Sequence, residues 1–506
     1  MDDGEIQKIN YFLEILEKSK VGEIIQESYK KTKPIGRKSY DPCKLFASLL
    51  YSFAMHRGSL RDMEEFCKYD LRMWYLMEQE KPSYKTIAEF INDVIVGRRF
   101  DIFTKITSAI IKELGVDISD QYLDGTKIEA NANKYKFVWK PRKYHKNLDE
   151  KIREFLIEIG TPYEDAKYIT ARHLLNKLKQ YGLTNTIVPE KIPYGKGVKR
   201  SKAQKTYLKG LKYLNKLMEY EEKEKICGPN RNSFYKTDHD ATAMALKTDY
   251  YSGHGSNMHA AYNIQFLVAA GFITFFSVFQ DRTDYHTLIP LLNNYSKYYQ
   301  NQPCNLCADA GYGIYENYHY LSENNIGNYV KFQNWQGESS GKNPQLIYFD
   351  EVSKSFTCLN GVHGREVPYG KSYHQKAKGL KLYLFDECES CKYCSTCKKR
   401  LKNKDETFRF FEINPYYEEL KNLVRKNLHT IKGIEIRVNR SIQAEGAFGQ
   451  LKQNMMYVRT RRRGLSKVST EIMLMALAIN VRKMLSIYKN QEIPKYYWHI
   501  DPATIE

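Results

Sequence analysis

The chain has 506 residues, too many for one ordinary hydrophobic core, so we expect about two to four domains. Hydrophobic residues make up 42% of the chain and charged residues 27%, a balance that excludes disordered and fibrous proteins. Lys and Arg outnumber Asp and Glu by 79 to 59, and the net charge of +20 favours a polyanionic partner, nucleic acid ahead of an anionic membrane surface.

The first residues and the apolar runs of the sequence indicate where in the cell the protein is expected to be. The chain opens with MDDGEIQKIN, which is acidic and polar, unlike a secretory signal. The longest apolar run, residues 262–279, contains Asn263 and Gln265 and breaks at Gly271, which favours a buried hairpin over a membrane helix. We therefore expect a soluble cytoplasmic protein, associated with the nucleoid, whose 10 cysteines are thiols or metal ligands rather than disulfides.

Residues 1–112 are predicted to form a helical domain. Leu45, Leu49 and Phe53 recur at helical spacing, Ser59 is a suitable N-terminal cap of a further helix, and Ser83 or Thr86 could begin another. Basic residues accompany these helices: Arg37, Lys38, Arg57 and Arg61. Two interpretations remain open, a helix-turn-helix-like DNA reader and a helical bundle with a basic surface.

Strand and helix patterns alternate over the rest of the chain. In order they are a strand at 118–129, a hairpin at 260–268 and 272–279, a helix at 284–299, a strand at 305–309, a helix at 315–324, a strand at 328–332, and helices from 436 and at 470–488. This order predicts a mixed α+β or α/β fold, the ribonuclease-H-like mixed sheet with helices on its faces.

Two long insertions divide this predicted sheet domain, which comprises residues 113–130, 237–332 and 433–490. Residues 131–236 form a basic insertion with helical patterns, and residues 333–432 form an insertion that holds half of the cysteines. Residues 491–506 remain as a C-terminal tail.

Three acidic residues lie where the predicted fold would bring them together. Asp124 is near the end of the first strand, Asp309 ends the fourth strand within ADAGYG, and Glu445 lies on a C-terminal helix. Neighbouring carboxylates repel one another and favour a divalent cation, and oxygen ligands suit Mg²⁺ or Mn²⁺. Two such ions would support in-line phosphoryl transfer. The alternative is coincidence, because 59 acidic residues form many such triples.

Several motifs resemble the DDE transposases of bacterial insertion sequences. They are DGTKIEANAN from Asp124, YNIQ from Tyr262, ADAGYG around Asp309 and RSIQAEGAFGQLKQ from Arg440, before an arginine-rich stretch. The N-terminal segments GRKSYDP, SLRDMEEF and KPSYKTIAEF are similar to the helical domain of the insertion sequence eleven-eighty-two family. The resemblance covers about residues 35–485 and implies a ribonuclease-H-like catalytic domain with Asp124, Asp309 and Glu445 as metal ligands.

Related transposases carry a Tyr-x2-Arg-x3-Glu-x6-Lys signature around the last acid. Glu445 and Lys452 fit its second half, whereas Val438 and Ser441 replace the Tyr and the Arg, and Arg440 lies one residue away from the Arg position. The resemblance implies that Lys452 binds a phosphate near the active site, on the helical face of Glu445. The alternative for Lys452 is an ordinary solvated lysine.

Five cysteines between residues 358 and 397 have the spacing of metal ligands. Cys388, Cys391 and Cys397 form the C-x2-C-x5-C pattern of the resembled family, and Cys358 would complete a structural Zn²⁺ site of four thiolates. Cys394 is the spare, and spacing alone does not exclude that it replaces Cys397. An iron–sulfur cluster also accepts this spacing.

Three tracts contain many cations and no acidic residue: 131–147, 191–213 and 452–467. Their Lys and Arg suit DNA phosphates, and the aromatic residues of the first tract suit stacking on bases. The candidate DNA-binding residues are Lys134, Lys136, Lys140, Arg142, Lys143, Arg440, Lys452, Arg459, Arg461, Arg462 and Arg463. We expect the three consecutive arginines to face different sides of a helix and to bind the DNA backbone; a solvated charged surface is the alternative.

The leading hypothesis is a DDE transposase that uses two Mg²⁺ or Mn²⁺ ions and carries structural Zn²⁺. It would cleave double-stranded DNA at the terminal inverted repeats of its element and join the ends to target DNA. We expect it to act as a homodimer on paired ends and not to bind a membrane. Two alternatives remain open. One is a ribonuclease-H-like nuclease or domesticated transposase without strand transfer, and the other is a non-catalytic zinc-containing DNA-binding protein.

Overall fold

The computed structural model describes residues 3–29, 39–55, 58–165, 167–193, 195, 197–246, 258–369, 379–389, 391–397, 407–488 and 493–501. Of the basic residues expected beside the first helices, Arg37, Lys38 and Arg57 lie outside the described residues. Within the described ranges, every helix is too short or too polar to span a lipid bilayer.

The N-terminal part is helical, as its apolar spacing predicts. Ser59 begins a helix as expected, and Ser83 rather than Thr86 begins the later one. The hydroxyl groups of the two serines accept hydrogen bonds from the backbone N–H of Asp62 and of Thr86. The helices are α1 (Asp3–Lys18), α2 (Val21–Ser28), α3 (Pro42–Ala54), α4 (Leu60–Tyr69), α5 (Leu71–Met77), α6 (Tyr84–Phe90) and α7 (Arg99–Leu114).

The first strand and the first insertion follow. Strand β1 (Asp120–Glu129) is the first of the main sheet. The insertion contains β2 (Phe137–Trp139), α8 (Pro141–Glu158), α9 (Ala171–Thr184), α10 (Lys202–Cys227) and β3 (Ser233–Tyr235). Its three helices enclose a small hydrophobic core of their own, and β2 pairs with β3.

The main sheet has six strands in a mixed arrangement. The remaining elements are β4 (Thr242–Ala245), β5 (Met258–Ala269), β6 (Phe272–Phe279), α11 (Leu288–Tyr299), β7 (Asn305–Cys307), α12 (Tyr315–Glu323) and β8 (Gly327–Asn328). Strand β5 pairs antiparallel with β1, β4 and β6, whereas β1, β7 and β8 are parallel. The predicted hairpin is present, and Ala270 and Gly271 at its tip both have positive φ, as a two-residue turn requires.

The second insertion is built of small sheets. It contains α13 (Trp335–Ser339), β9 (Ile347–Asp350), β10 (Ser355–Cys358), β11 (Arg365–Val367), β12 (Lys381–Phe385), α14 (Cys394–Cys397) and β13 (Arg409–Ile413). Strands β9 and β10 form one hairpin, and β11, β12 and β13 form a three-stranded sheet. Buried aromatic residues, among them Phe349, Phe356 and Phe385, form a separate small core between them.

Three C-terminal helices cover the main sheet: α15 (Pro415–His429), α16 (Ile431–Gly449) and α17 (Leu465–Ser486). Helix α16 packs on β1 and β5, and α17 packs on β6 and on α3 and α7 of the N-terminal part. Nearly all of α17 is buried, and one continuous hydrophobic core joins the N-terminal helices to the sheet. Helix α16 is thus positioned by β1 and β5, and α17 connects the N-terminal helices to the sheet through β6.

Candidate active site

Asp124 lies on β1 beside a buried arginine. Its carboxylate Oδ1 accepts a hydrogen bond from the Gly125 N–H at 2.9 Å and lies 3.6 Å from the Nη1 atom of Arg440. Burial raises the pKa of Asp124 to about 6; the charge of Arg440 lowers this pKa, and the charges of Asp309 and Asp284 raise it. Asp124 therefore lies in one electrostatic neighbourhood with two further carboxylates.

Asp309 follows the neighbouring strand in register with Asp124. Strand β7 pairs parallel with β1, with Tyr122 opposite Cys307, so two more residues along each chain lead to Asp124 and Asp309. The strand ends at Cys307, two residues earlier than the sequence pattern suggests. The chain then turns, because Asp309 accepts a hydrogen bond from the Gly311 N–H at 2.8 Å and begins a short 3₁₀ turn.

Asp284 is a third carboxylate of this site that the sequence analysis missed. Its Oδ1 accepts hydrogen bonds of 2.8 Å from the side-chain amides of Asn263 and Gln265, two buried residues of β5. Gly125 faces Gln265 across the sheet, and a Cβ atom at Gly125 would lie 3.0 Å from the same oxygen. The available signal was YNIQ, where two amides alternate on one face of an otherwise apolar strand.

Glu445 lies on α16 and is exposed to solvent. The helix is fixed on the sheet by Phe448, whose ring stacks on Phe266 at 4.8 Å, and by Gln443, which accepts a hydrogen bond from the Gly271 N–H. In this arrangement Arg440, five residues before Glu445, faces Asp124. Among the residues that the structure describes, no three Asp, Glu, His or Cys side chains lie close enough to hold a metal ion.

The carboxylates of Asp124, Asp309 and Asp284 match a hard divalent cation in chemistry. They supply oxygen ligands, their charges oppose one another, and each lies next to a glycine or an amide that leaves space or fixes its orientation. In the described structure neither Asp284 nor Glu445 forms one metal group with Asp124 and Asp309. Two members of the predicted triad are therefore neighbours, and the third stays a prediction.

The predicted helical relation between Glu445 and Lys452 stays a prediction, because the type of helix changes between them. A π-helical turn, Gln450–Asn454, follows α16 and contains Lys452. Such a turn has more residues per rotation than an α-helix, so it rotates Lys452 by a few tens of degrees from the position that a continuous α-helix would give it. Lys452 is half-buried.

The arginine segment after α16 does not form the expected helix. Residues 455–464 are extended or turned, and Arg459 forms a bridge with Glu129 at the end of β1. Arg463 donates a hydrogen bond of 2.7 Å to the Asn131 carbonyl, and burial lowers the pKa of Arg462. The backbone N–H groups of Arg461 and Arg462 bind the buried Glu471 of α17. The segment thus connects β1 to α17 instead of forming the helix that the sequence predicted.

The first basic tract lies on an exposed strip around β2, residues 134–144, which we call the aromatic–basic strip. Lys136, Lys140 and Lys143 are exposed, and the ring of Tyr135 is 82% exposed. Trp139 lies 5.6 Å from the guanidinium of Arg282, two residues before Asp284. This contact connects the strip to the loop that carries the missed carboxylate.

The cysteines of the second insertion are not gathered in the described structure. Cys358 ends β10, whereas Cys394 and Cys397 lie on α14, and Cys388 contacts the carbonyl of Phe385. The guanidinium of Arg409 contacts the Cys397 sulfur. Because no three described Cys or His side chains form a metal group, the arrangement gives the zinc site no support.

Two family models match the chain. A model described as a transposase DDE domain matches residues 357–485, and a transposase domain of the type DUF772 matches residues 4–93. These matches support a bacterial insertion-sequence DDE transposase. Glu445 and the cysteines of the second insertion lie within the DDE match, while Asp124 and Asp309 precede it. The searches of curated proteins and of solved structures each returned no match. Membership of the insertion sequence eleven-eighty-two family stays a prediction.

Proposed function

We propose that this transposase cleaves DNA at the ends of its element and joins the 3′-ends to target DNA, with a catalytic domain of the ribonuclease-H-like type. The strand order supports this proposal: β6, β5, β1, β7 and β8 lie side by side, with β5 antiparallel to its neighbours β1 and β6. The single observation that carries it is the proximity of Asp124 on β1 to Asp309, which lies just after the adjacent strand β7. A nuclease without strand transfer remains the alternative within the same chemistry.

Asp124 and Asp309 would hold the Mg²⁺ or Mn²⁺ ions, with Glu445 as the third ligand. When bound, the ions supply positive charge for in-line phosphoryl transfer. The remaining residues prepare the site: the amides of Asn263 and Gln265 orient Asp284, and Tyr312 donates a hydrogen bond to Gln265 from beneath. Arg440 holds a positive charge beside Asp124, where a DNA phosphate would approach.

Alanine substitutions of Asp124, Asp309 and Glu445 test this assignment. Each variant should lose Mg²⁺-dependent cleavage of terminal-repeat DNA and keep its affinity for that DNA, because binding depends on basic surface elsewhere. Asp281→Ala, on the loop of Asp284, is the matched control and should cleave as the wild type does. Cleavage by the Glu445→Ala variant at the wild-type rate would remove Glu445 from the site. Joined products in the wild type distinguish a transposase from a nuclease.

We further propose that the aromatic–basic strip binds the DNA backbone and that the protein acts as a homodimer on paired ends. Lys134, Lys136, Lys140, Arg142 and Lys143 are the backbone contacts of the strip, and Arg459, Arg461 and Arg463 extend its positive charge along the neighbouring segment. Two observations support the DNA contact of the strip: the cations are mostly exposed, and aromatic rings lie between them.

Structural zinc remains a prediction that elemental analysis tests. If Cys358, Cys388, Cys391 and Cys397 form the site, purified protein should contain about one zinc per chain, and the Cys388→Ser/Cys391→Ser variant should lose both the zinc and solubility. Cys43→Ser, in the N-terminal helices, is the control. Protein that is folded and contains neither zinc nor iron would refute a metal site in this insertion.

A further inference from the structure

Three basic side chains surround the end of β7, next to Asp124 and Asp309. Arg437 and Arg440 lie three residues apart on α16, so they share one face of the helix. Lys331 follows β8, and its backbone N–H bonds to the Ala308 carbonyl, one residue before Asp309. Helix α16 packs on β7, the strand that ends at Cys307. The three cations therefore lie around one point of the sheet.

These cations have fewer acceptors than they need. Arg440 is only 8% exposed, and its Nε and Nη1 atoms are buried without a hydrogen-bond acceptor among the described residues; the same holds for Nε of Arg437. The nearest carboxylate oxygen, on Asp124, is 3.6 Å from Arg440, beyond ordinary hydrogen-bond length. A buried charged donor without an acceptor is costly, so the geometry calls for an anion.

Like charges also act within the group. Burial lowers the pKa of Lys331, and the charges of Arg440 and Arg437 lower it further. Asp124 and Asp309 do not supply the missing anion if they serve the metal ions, because their oxygens are then engaged. An external anion next to the acidic centre would satisfy the free guanidinium donors and reduce the repulsion.

We propose that Arg437, Arg440 and Lys331 form a phosphate-binding site that holds one backbone phosphate of the DNA strand entering the acidic centre. The proposal rests on the proposed function, since it assumes that DNA is the substrate. Planar guanidinium groups match phosphate oxygens in pairs, and a flexible lysine adds a third donor. The site differs from the aromatic–basic strip because its donors are buried and converge, so it holds a single phosphate in a defined place.

A methylphosphonate scan tests the site directly. Terminal-repeat duplexes, each with one phosphate replaced by a neutral methylphosphonate, are titrated against the protein in EDTA, so the readout is affinity without metal or cleavage. For the wild type, a methylphosphonate at one position should weaken DNA binding about tenfold. For the Arg437→Gln and Lys331→Gln variants, the same methylphosphonate should weaken binding little, because the contact with that phosphate is already lost. Lys432→Gln, an exposed lysine on the same helix beside Asp120, should show the wild-type pattern.

Thermal unfolding accompanies the scan. If the three cations repel one another in the absence of an anion, the Arg437→Gln and Lys331→Gln variants should have the unfolding temperature of the wild type or a higher one. A purely structural role of these residues would instead lower the unfolding temperature of the variants. Arg437→Lys covers the case in which Gln disturbs packing. An unchanged methylphosphonate pattern in the folded variants would overturn the phosphate site and leave the transposase assignment intact. Wild-type protein that does not bind terminal-repeat DNA at all would overturn both.

Discussion

At the scale of single residues, glycines decide how closely the site can assemble. A Cβ atom at Gly125 would lie 2.1 Å from the Gln265 amide nitrogen and 3.0 Å from Asp284. One at Gly311 would lie 3.0 Å from Asp309. Neither glycine has a positive φ, so their role is space and not backbone conformation. The DG and AG pairs in the acidic motifs are thus explained by the side chains that approach them.

Gly125→Ala should therefore disturb the site. The new methyl group displaces the Gln265 amide, which binds Asp284 and accepts from Tyr312. We expect a loss of about 1–3 kcal/mol in the free energy of unfolding, together with slower DNA cleavage. Gly446→Ala is the matched control: Gly446 is exposed on α16 with no neighbouring atom within 4 Å, so alanine should stabilise the helix by about 1 kcal/mol. Urea unfolding of both variants measures the difference, and equal stability would contradict the crowding at Gly125.

At the scale of elements, the position of α16 depends on residues near the C-terminus. The Asn439 side chain of α16 accepts hydrogen bonds from the backbone of Tyr497 and Trp498, and Gln443 donates to the Lys495 carbonyl. Lys495 in turn lies 3.0 Å from the buried Asp120 at the start of β1. The segment expected to be a simple tail thus links the strand of Asp124 to the helix of Arg440 and Glu445.

Asp120→Asn tests this link through pH. Burial raises the pKa of Asp120, but hydrogen bonds from Tyr496, Asn305 and Lys495 outweigh it and hold the pKa below its usual value. A depressed carboxyl pKa contributes stability above the unfolded value of about 4, and this stability is lost as the pH falls. The variant should lose about 2 kcal/mol at pH 7, and the difference from wild type should shrink below about pH 4.

Asp117→Asn is the control for this prediction. Asp117 pairs with the same Lys495 but its side chain is 49% exposed, so its loss should cost less than about 1 kcal/mol. Thermal unfolding from pH 3 to pH 8 separates the two. A constant difference between wild type and Asp120→Asn across that range would contradict the role of the carboxylate charge.

At the scale of the whole molecule, net charge and local surface make separate contributions to DNA binding. The chain carries a net charge of +20, yet many cations pair with carboxylates or with backbone carbonyls, as Arg463 and Lys426 do. The third basic tract consequently serves in part to join β1, α17 and the N-terminal helices. The aromatic–basic strip is the tract with the most exposed cations near the acidic loop.

The triple variant Lys136→Gln/Lys140→Gln/Lys143→Gln should weaken binding to specific and unrelated DNA alike. Each lost phosphate contact should remove about 0.9 from the slope of log affinity against log salt. The control Lys179→Gln/Lys354→Gln/Lys426→Gln changes the net charge equally on other exposed surfaces and should leave the slope unchanged. Binding titrations at several salt concentrations measure both. Equal slopes for the two variants would show that net charge, not the strip, governs binding.

Much of the secondary structure follows from local patterns in the sequence. The capping serines, the apolar spacing of the N-terminal helices and the Ala270–Gly271 turn depend on neighbouring residues, so the sequence alone predicts them. The order of strands also predicted that Asp124 on β1 and Asp309 after β7 lie close together, because β1 and β7 are adjacent and parallel. The observed strand ends differ from the predicted ones by a few residues where a local hydrogen bond turns the chain, as that of Asp309 does after β7.

Tertiary structure alone decided which side chains meet. Asp284 joins the acidic site because two amides on β5 orient it, and they are far from it in sequence. The arginine segment is not helical, and the buried Glu471 accepts hydrogen bonds from its backbone N–H groups. A π-helical turn that the sequence did not predict contains Lys452. A sequence pattern records the preferences of each segment; long-range contacts determine which carboxylates, cations and amides share one space, since their energies depend on distances that the pattern does not contain.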